Sequence, residues 1–396
     1  MALIPLEEPT TRRVPPDRLA LFALGFRPFY LLAAGFAVLA VPAWVLVLAG
    51  WLTPPIAGLW WHAHEMLFGF AVAVIVGFLL TAGRNWTGLP TPSGRPLAAL
   101  AALWLAGRLA MIAGDGVVVA AVDLAFLPVA AIALGRVLVK ARSKRNYFLL
   151  VMLAALTLAN LVFHLARFGF AGGDPLLPLH FALGLVVVIE TTIAGRVVPM
   201  FTSNALRGIR QWQHPRLNIA AIVGTALALG LWAAGVEGAW VGGVALLAAL
   251  LQAVRCAGWN PRAALAKPLL WILHLSHLWI PVGLALLAAA QWGWVPRSAG
   301  IHALGIGATA GLIMGMITRT ALGHTGRMLE SGPVEAAAYV LVQVAAVARV
   351  LTLAVIPAAA LAGIHLAATA WVLAFVLYLW RYLPMLVRAR VDGREG

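Results

Sequence analysis

Ten histidines stand in a chain this apolar, and they are the first residues to weigh. An imidazole held away from water ligates a metal, relays a proton or finds a hydrogen-bond partner. Trp60-Trp61-His62-Ala63-His64-Glu65-Met66 opens one apolar stretch, His180 opens a second and His302 a third. His62 and His64 are two apart, so on a regular helix their side chains point about 200° apart. They suit two sites on opposite sides of one helix, or one ligates while the other caps. Glu65 is placed to orient a histidine as a hydrogen-bond acceptor or to relay a proton. His274 and His277, at i and i+3, share a face and could hold one ion between them. His164 and His365 add two further nitrogen donors. Arg108 and Arg349 could neutralise a bound anion or snorkel to the membrane surface. Glu190, in the middle of an apolar stretch, needs a partner or a proton. Residues of these types are the ones that ligate haem or another metal. The plainer alternatives are a membrane-belt role for histidine beside tryptophan and interhelical hydrogen bonding for His274, Ser276 and His277.

The elements that must position these residues follow from composition. Of 396 residues, 63% are hydrophobic and only 10% charged, and the mean hydropathy is +0.96. A water-soluble fold of this size carries about 25% charged residues and cannot hide so much apolar side chain. The start shows no apolar run followed by a small-residue cleavage site, so no cleavable signal peptide is expected. The single cysteine, Cys256, excludes an intrachain disulfide, a CxxCH haem attachment and a Cys-ligated cluster. Any metal must therefore rest on histidine, carboxylate or thioether, and any haem would be held without a covalent link. The net charge of +15 does not point to nucleic acid, because the basic residues are dispersed over the ends of the hydrophobic segments.

The chain contains twelve apolar stretches, each long enough to span a bilayer. They cover 29–49, 59–82, 97–113, 117–140, 147–167 and 180–203, then 217–235, 239–256, 269–290, 300–321, 334–352 and 357–380. Arg and Lys cluster in every second loop, and 23 of the 28 basic residues fall on one side. The positive-inside rule then makes both termini cytoplasmic. His62, His64, His180 and His302 lie near the outer ends of their helices, with His164 and His365 on the same side. His274 and His277 sit deeper, toward the inner half.

The order of these elements repeats. Pro96, Pro215 and Pro333 open the third, seventh and eleventh stretches at spacings of 119 and 118, and His64, His180 and His302 recur at 116 and 122. The expected fold is an all-α integral membrane protein of about twelve helices in three four-helix pseudo-repeats, 20–140, 141–262 and 263–390. Residues 1–19 form a cytoplasmic lead-in to this single transmembrane domain. Short loops between membrane helices produce a crude repeat by themselves, but prolines and histidines in shared register are a stronger pattern.

Several local sequences resemble the NnrS family of membrane proteins. They are Leu24-Gly25-Phe26-Arg27-Pro28-Phe29, His62-Ala63-His64-Glu65-Met66-Leu67-Phe68-Gly69-Phe70, and Gly83-Arg84-Asn85-Trp86-Thr87-Gly88, in which Gly83-Arg84 departs from the apolar residue and proline of the family pattern. Gly195-Arg196-Val197-Val198-Pro199-Met200 and Leu322-Gly323-His324-Thr325-Gly326-Arg327 extend the likeness over nearly the whole chain. The resemblance implies a bacterial cytoplasmic-membrane protein containing haem, of b type, and copper, linked to nitric oxide metabolism and tolerance. The three-part layout is also similar to the haem-copper oxidase and nitric oxide reductase core, a likeness of topology alone. On this reading His62 or His64, with His180 and His302, hold the cofactor in the outer leaflet, and Arg108 and Arg349 neutralise its propionates. His274 and His277 are the second choice for copper, with His365 and His164 as further donors. His324 reads as structural, with metal recruitment as its alternative. Turnover would need an electron donor such as a quinol or another small partner. Two alternatives stay open: a haem or copper transporter or chaperone, and a membrane sensor without turnover.

Overall fold

The computed structural model describes residue 15 and residues 18–394, and among them the chain is helical apart from one isolated β-bridge. Twelve helices are long and apolar enough to cross a bilayer. The first six are α1 (Phe26–Leu48), α2 (Gly58–Thr87), α3 (Arg95–Ala113), α4 (Val117–Lys140), α5 (Lys144–Arg167) and α6 (Leu176–Ala205). The second six are α7 (Pro215–Ala233), α8 (Ala239–Gly258), α9 (Pro268–Gln291), α10 (Arg297–His324), α11 (Pro333–Ala354) and α12 (Pro357–Val387). Each contains most of one apolar stretch read from the sequence. The largest extension is at the end of α12, where Arg381 closes the apolar run but not the helix.

Local chemistry accounts for the helix starts. Proline falls in the first turn of α3, α7 and α11, where its missing N–H would have had no intrahelical acceptor. The described ends of the chain lie together. Leu19 bridges Arg388, the Ala20 amide donates to the Val387 carbonyl at 2.8 Å, and the Ala389 amide donates to the Arg18 carbonyl at 2.9 Å. Arg27, fully buried, donates from Nη1 to the carbonyls of Leu386 at 2.9 Å and Arg388 at 2.7 Å, closing the end of α12. The side of the bundle where these ends meet is its terminal face. Most of the lead-in segment 1–19 lies outside the described residues.

Consecutive helices pack on one another, α4 against α5 and α8 against α9, and α12 closes the ring on α1. α2 and α10 occupy the middle: 78% and 72% of their apolar windows are buried, against 22% for α1. Where apolar surface already faces lipid, close backbone approach holds helices together, and small residues permit it. Gly283 of α9 and Gly300 of α10 face each other this way. A Cβ on Gly283 would lie 2.6 Å from Leu304 Cδ2, and one on Gly300 would lie 2.7 Å from Leu287 Cδ2.

Both central helices change winding directly after a histidine. π-helical turns run from Glu65–Ala71 in α2 and from Ala303–Ala310 in α10. A residue inserted into a helical turn rotates the helix on its N-terminal side by about 100° relative to the helix on its C-terminal side. α6 carries no such segment.

Candidate functional site

α2, α6 and α10 converge in the half of the bundle away from the terminal face, and a cavity of about 300 Å³ lies between them. That volume is in the range of cofactor and small-molecule sites, about 300–1,000 Å³. Its walls carry His62 from α2, His180 from α6 and His302 from α10, with Arg349 from α11. The rest of the lining is largely apolar, including Trp44, Met66, Phe70 and Trp371.

Each histidine is held differently. The His62 ring stacks on Trp44, with centroids 4.7 Å apart and planes 11° from parallel, and its buried Nδ1 has no partner. His302 donates from Nδ1 to the Ser298 carbonyl, 2.7 Å away and four residues back, which leaves the lone pair on Nε2. His180 packs against Trp232, with ring centroids 4.4 Å apart. The Arg349 Nη1 is buried without a partner. Unpaired polar groups of this kind are rare in protein interiors, and each calls for an explanation.

His64 points the other way. It joins a closed ionic network with Glu65, Arg108 of α3, Asp123 of α4 and two residues of α5, Asn160 and His164. His64 Nδ1 lies 2.9 Å from Glu65 Oε1, and Nε2 lies 2.9 Å from Asn160 Oδ1 and 3.2 Å from Asp123 Oδ2. Both nitrogens thus face acceptors, an arrangement satisfied when both carry hydrogen. Arg108 pairs with both Glu65 and Asp123. Asn160 Nδ2 donates to Asp123 Oδ2 at 2.7 Å, and His164 Nε2 donates to the same oxygen at 3.0 Å. Arg167 donates from Nη2 to His164 Nδ1 at 3.1 Å and pairs with Asp115. The side chains of Glu65 and Asp123 have no exposed surface.

The sequence-predicted residues therefore divide. His62, His180, His302 and Arg349 meet at the cavity. Arg108, expected beside a cofactor's propionates, is committed to two carboxylates in the network instead. Glu65, expected to orient a histidine or to relay a proton, accepts from His64 Nδ1 and pairs with Arg108. His274 and His277 lie apart from both, in the half near the terminal face. His274 Nε2 donates to Thr202 Oγ1 at 2.8 Å, and the Thr202 hydroxyl passes on to the Val198 carbonyl at 2.8 Å. His277 is buried against Trp259, with centroids 4.7 Å apart, and neither ring nitrogen has a partner. His365 is exposed on the outside of α12, whereas its neighbour Ile364 faces the cavity. The His324 ring lies beside Phe26, with centroids 5.5 Å apart, near the paired chain ends. Glu190 accepts a hydrogen bond from Thr309 Oγ1 at 3.2 Å.

Asp123 and Asn160 are the residues that sequence reasoning missed. The signal was present: Asp123 is a lone carboxylate inside an apolar helix, and such a group is a functional or pairing residue by default. His64, Asp123 and His164 offer ligand atoms that all lie within 4.8 Å of one another, close enough to hold a metal ion.

The fold and the site define a multi-pass helical membrane protein with a histidine-lined intramembrane cavity beside a buried ionic network. A family profile described as NnrS protein matches residues 20–390, which takes in all twelve helices, and the chain belongs to that family. A comparison with curated proteins found no match.

Proposed function

We propose that this protein binds haem in the cavity between α2, α6 and α10 and acts in nitric oxide metabolism or tolerance. One observation carries the reading: His62, His180 and His302, from three separate helices, converge on one cavity together with Arg349. The groups fit such a cofactor. His62 has an unpaired buried nitrogen, and His302 has its Nδ1 tied back so that Nε2 can ligate. The unpaired Arg349 guanidinium suits a propionate. The largely apolar wall suits a macrocycle. Bound there, haem would supply an iron able to take nitric oxide, a small neutral gas that reaches the site through lipid. We place the terminal face in the cytoplasm of a bacterium, because the basic residues gather there. Reduction of nitric oxide would draw electrons from a quinol or another small donor.

Copper has a second, separate basis. The His64, Asp123 and His164 group has metal-ligand spacing, but each member already has protein partners, and Arg108 would have to leave Asp123. His277 has both nitrogens free, with His274 one turn away, and is the better copper donor. The test is the visible spectrum and metal content of detergent-purified protein. Haem bands that disappear in His62→Ala and His302→Ala support the cavity site, and bands retained in a variant lacking His62, His180 and His302 rule it out. Haem lost on simple dilution of the wild type would favour a transporter or chaperone. Stable haem without nitric oxide consumption would favour a sensor.

A further inference from the structure

A second cavity, about 90 Å³, lies on the terminal-face side of the first and between the same three helices, α2, α6 and α10. Its walls are aliphatic or aromatic except for two groups, the Tyr30 hydroxyl and the Glu190 carboxyl. Glu190 lines the small cavity, and its hydrogen-bond donor Thr309 lines the large one. The 3.2 Å bond between Thr309 Oγ1 and Glu190 Oε2 is therefore a polar link between the two spaces. No basic side chain forms an ion pair with Glu190 among the described residues.

Further tyrosines are buried on the terminal-face side of the small cavity. The Tyr30 and Tyr378 hydroxyls are buried without hydrogen-bond partners. Tyr378 stacks on Tyr382 with centroids 4.8 Å apart, and the Tyr382 hydroxyl donates to Glu335 Oε1 at 3.1 Å. Glu335 also accepts from Arg381 Nε at 3.2 Å, and the Arg381 side chain is half-exposed. Tyr30, Tyr339, Tyr378 and Tyr382, four of the chain's five tyrosines, are fully buried in this half of the bundle. At Tyr30 and Tyr378 packing alone would be served better by phenylalanine, because a buried hydroxyl without a partner is costly. A water molecule needs roughly 10–15 Å³ and two to four polar partners, so the small cavity has room for a water with Tyr30 and Glu190 as its two polar anchors.

We propose that Glu190 is the proton-transfer residue of a route from the terminal face to the histidine-lined cavity. A proton enters at Glu335 and crosses the tyrosine hydroxyls to the small cavity. It then sits on the Glu190 carboxyl and leaves past the Thr309 hydroxyl. Only the use of that proton rests on the cavity's being a cofactor site; the route itself does not.

The test is infrared spectroscopy of the purified full-length protein in lipid nanodiscs during exchange from water into deuterium oxide. A protonated-carboxyl band is expected that shifts on exchange. Glu190→Gln should remove it, and Glu190→Asp should move it without removing it. Thr309→Val should shift it through loss of the hydrogen bond. Tyr30→Phe with Tyr378→Phe should slow its exchange by about tenfold or more, the effect of about 1.4 kcal/mol of added barrier. A band unchanged in Glu190→Gln, or exchange at the wild-type rate in the double tyrosine variant, overturns the proposal. Haem content measured on the same samples reports the cavity reading separately. Protein that binds no haem yet shows the Glu190 band and its slowed exchange keeps the route and loses the cofactor site.

Discussion

The network around Asp123 makes a quantitative demand on Arg108. Glu65 and Asp123 bring two carboxylates into a region with no exposed carboxylate surface, and Arg108 touches both. Replacing it by leucine keeps much of the volume but leaves two buried carboxylates with only the imidazoles of His64 and His164 and the Asn160 amide as partners. Removing one partner of a buried ion pair costs about 3–5 kcal/mol, because the remaining charge is stranded away from water. That corresponds to a loss of about two to four orders of magnitude in the ratio of folded to unfolded protein. Arg108→Leu with Asp123→Asn restores the balance: Glu65 still faces His64, and the Asn side chain can still bond to Asn160 and His164. The double variant should therefore recover most of the loss, and the difference from additivity should exceed about 1 kcal/mol. The assay is unfolding of detergent-purified protein in graded denaturing detergent, monitored by tryptophan fluorescence. An Arg108→Leu variant within about 0.5 kcal/mol of wild type, the range of an ordinary surface change, would refute the account. So would a double variant no more stable than the single one.

The geometry sets two further outcomes. His62→Ala should lose the visible haem bands, and adding Ala63→His should restore them in part, since residue 63 also lines the cavity; His365→Ala, on the outer surface, should leave the spectrum unchanged. Gly300→Val should lower stability by about 1–3 kcal/mol in the same unfolding assay, because a Cβ there meets Leu287 and the Gly283 carbonyl, the latter at 3.1 Å.

Much of the fold was legible in the chain itself. Hydropathy located all twelve helices, since a bilayer demands long apolar runs and short polar breaks. The opposite directions of His62 and His64 came from 3.6 residues per turn. What the chain could not declare was which neighbour each polar residue would find. Asp123, Asn160 and His164 meet His64 only because α4 and α5 dock beside α2, a tertiary fact with no local signature. For the same reason Arg108 and Arg349 looked alike in sequence, two arginines deep in apolar helices. One is closed in by carboxylates, and the other faces the cavity.

The π-helical turns were invisible too, and the cavity walls show how finely register matters there. The wall includes Leu59, His62, Ala63 and Met66 from the first turns of α2; Leu176, Leu179, His180 and Leu183 from α6; and Ser298, Ile301, His302 and Gly305 from the first turns of α10. Each set has the spacing i, i+3, i+4, i+7 of one helix face, and the sets are offset by 117 and 122 residues. In this register the counterpart of His180 and His302 is Ala63, which lies between the two histidines of α2. Aligning His64 with them, as the sequence spacing invites, misplaces it by one residue, or about 100° of helix. That single step separates a wall position of the cavity from the ionic network on the far side of α2. The histidine that stayed on the wall did so one position early, at the i+3 place, where Trp44 stacks on its ring and fixes its direction. The third donor thus approaches the cavity from a different register than the other two. A cofactor held by all three would be gripped asymmetrically, with α6 and α10 presenting matched histidines and α2 an offset one.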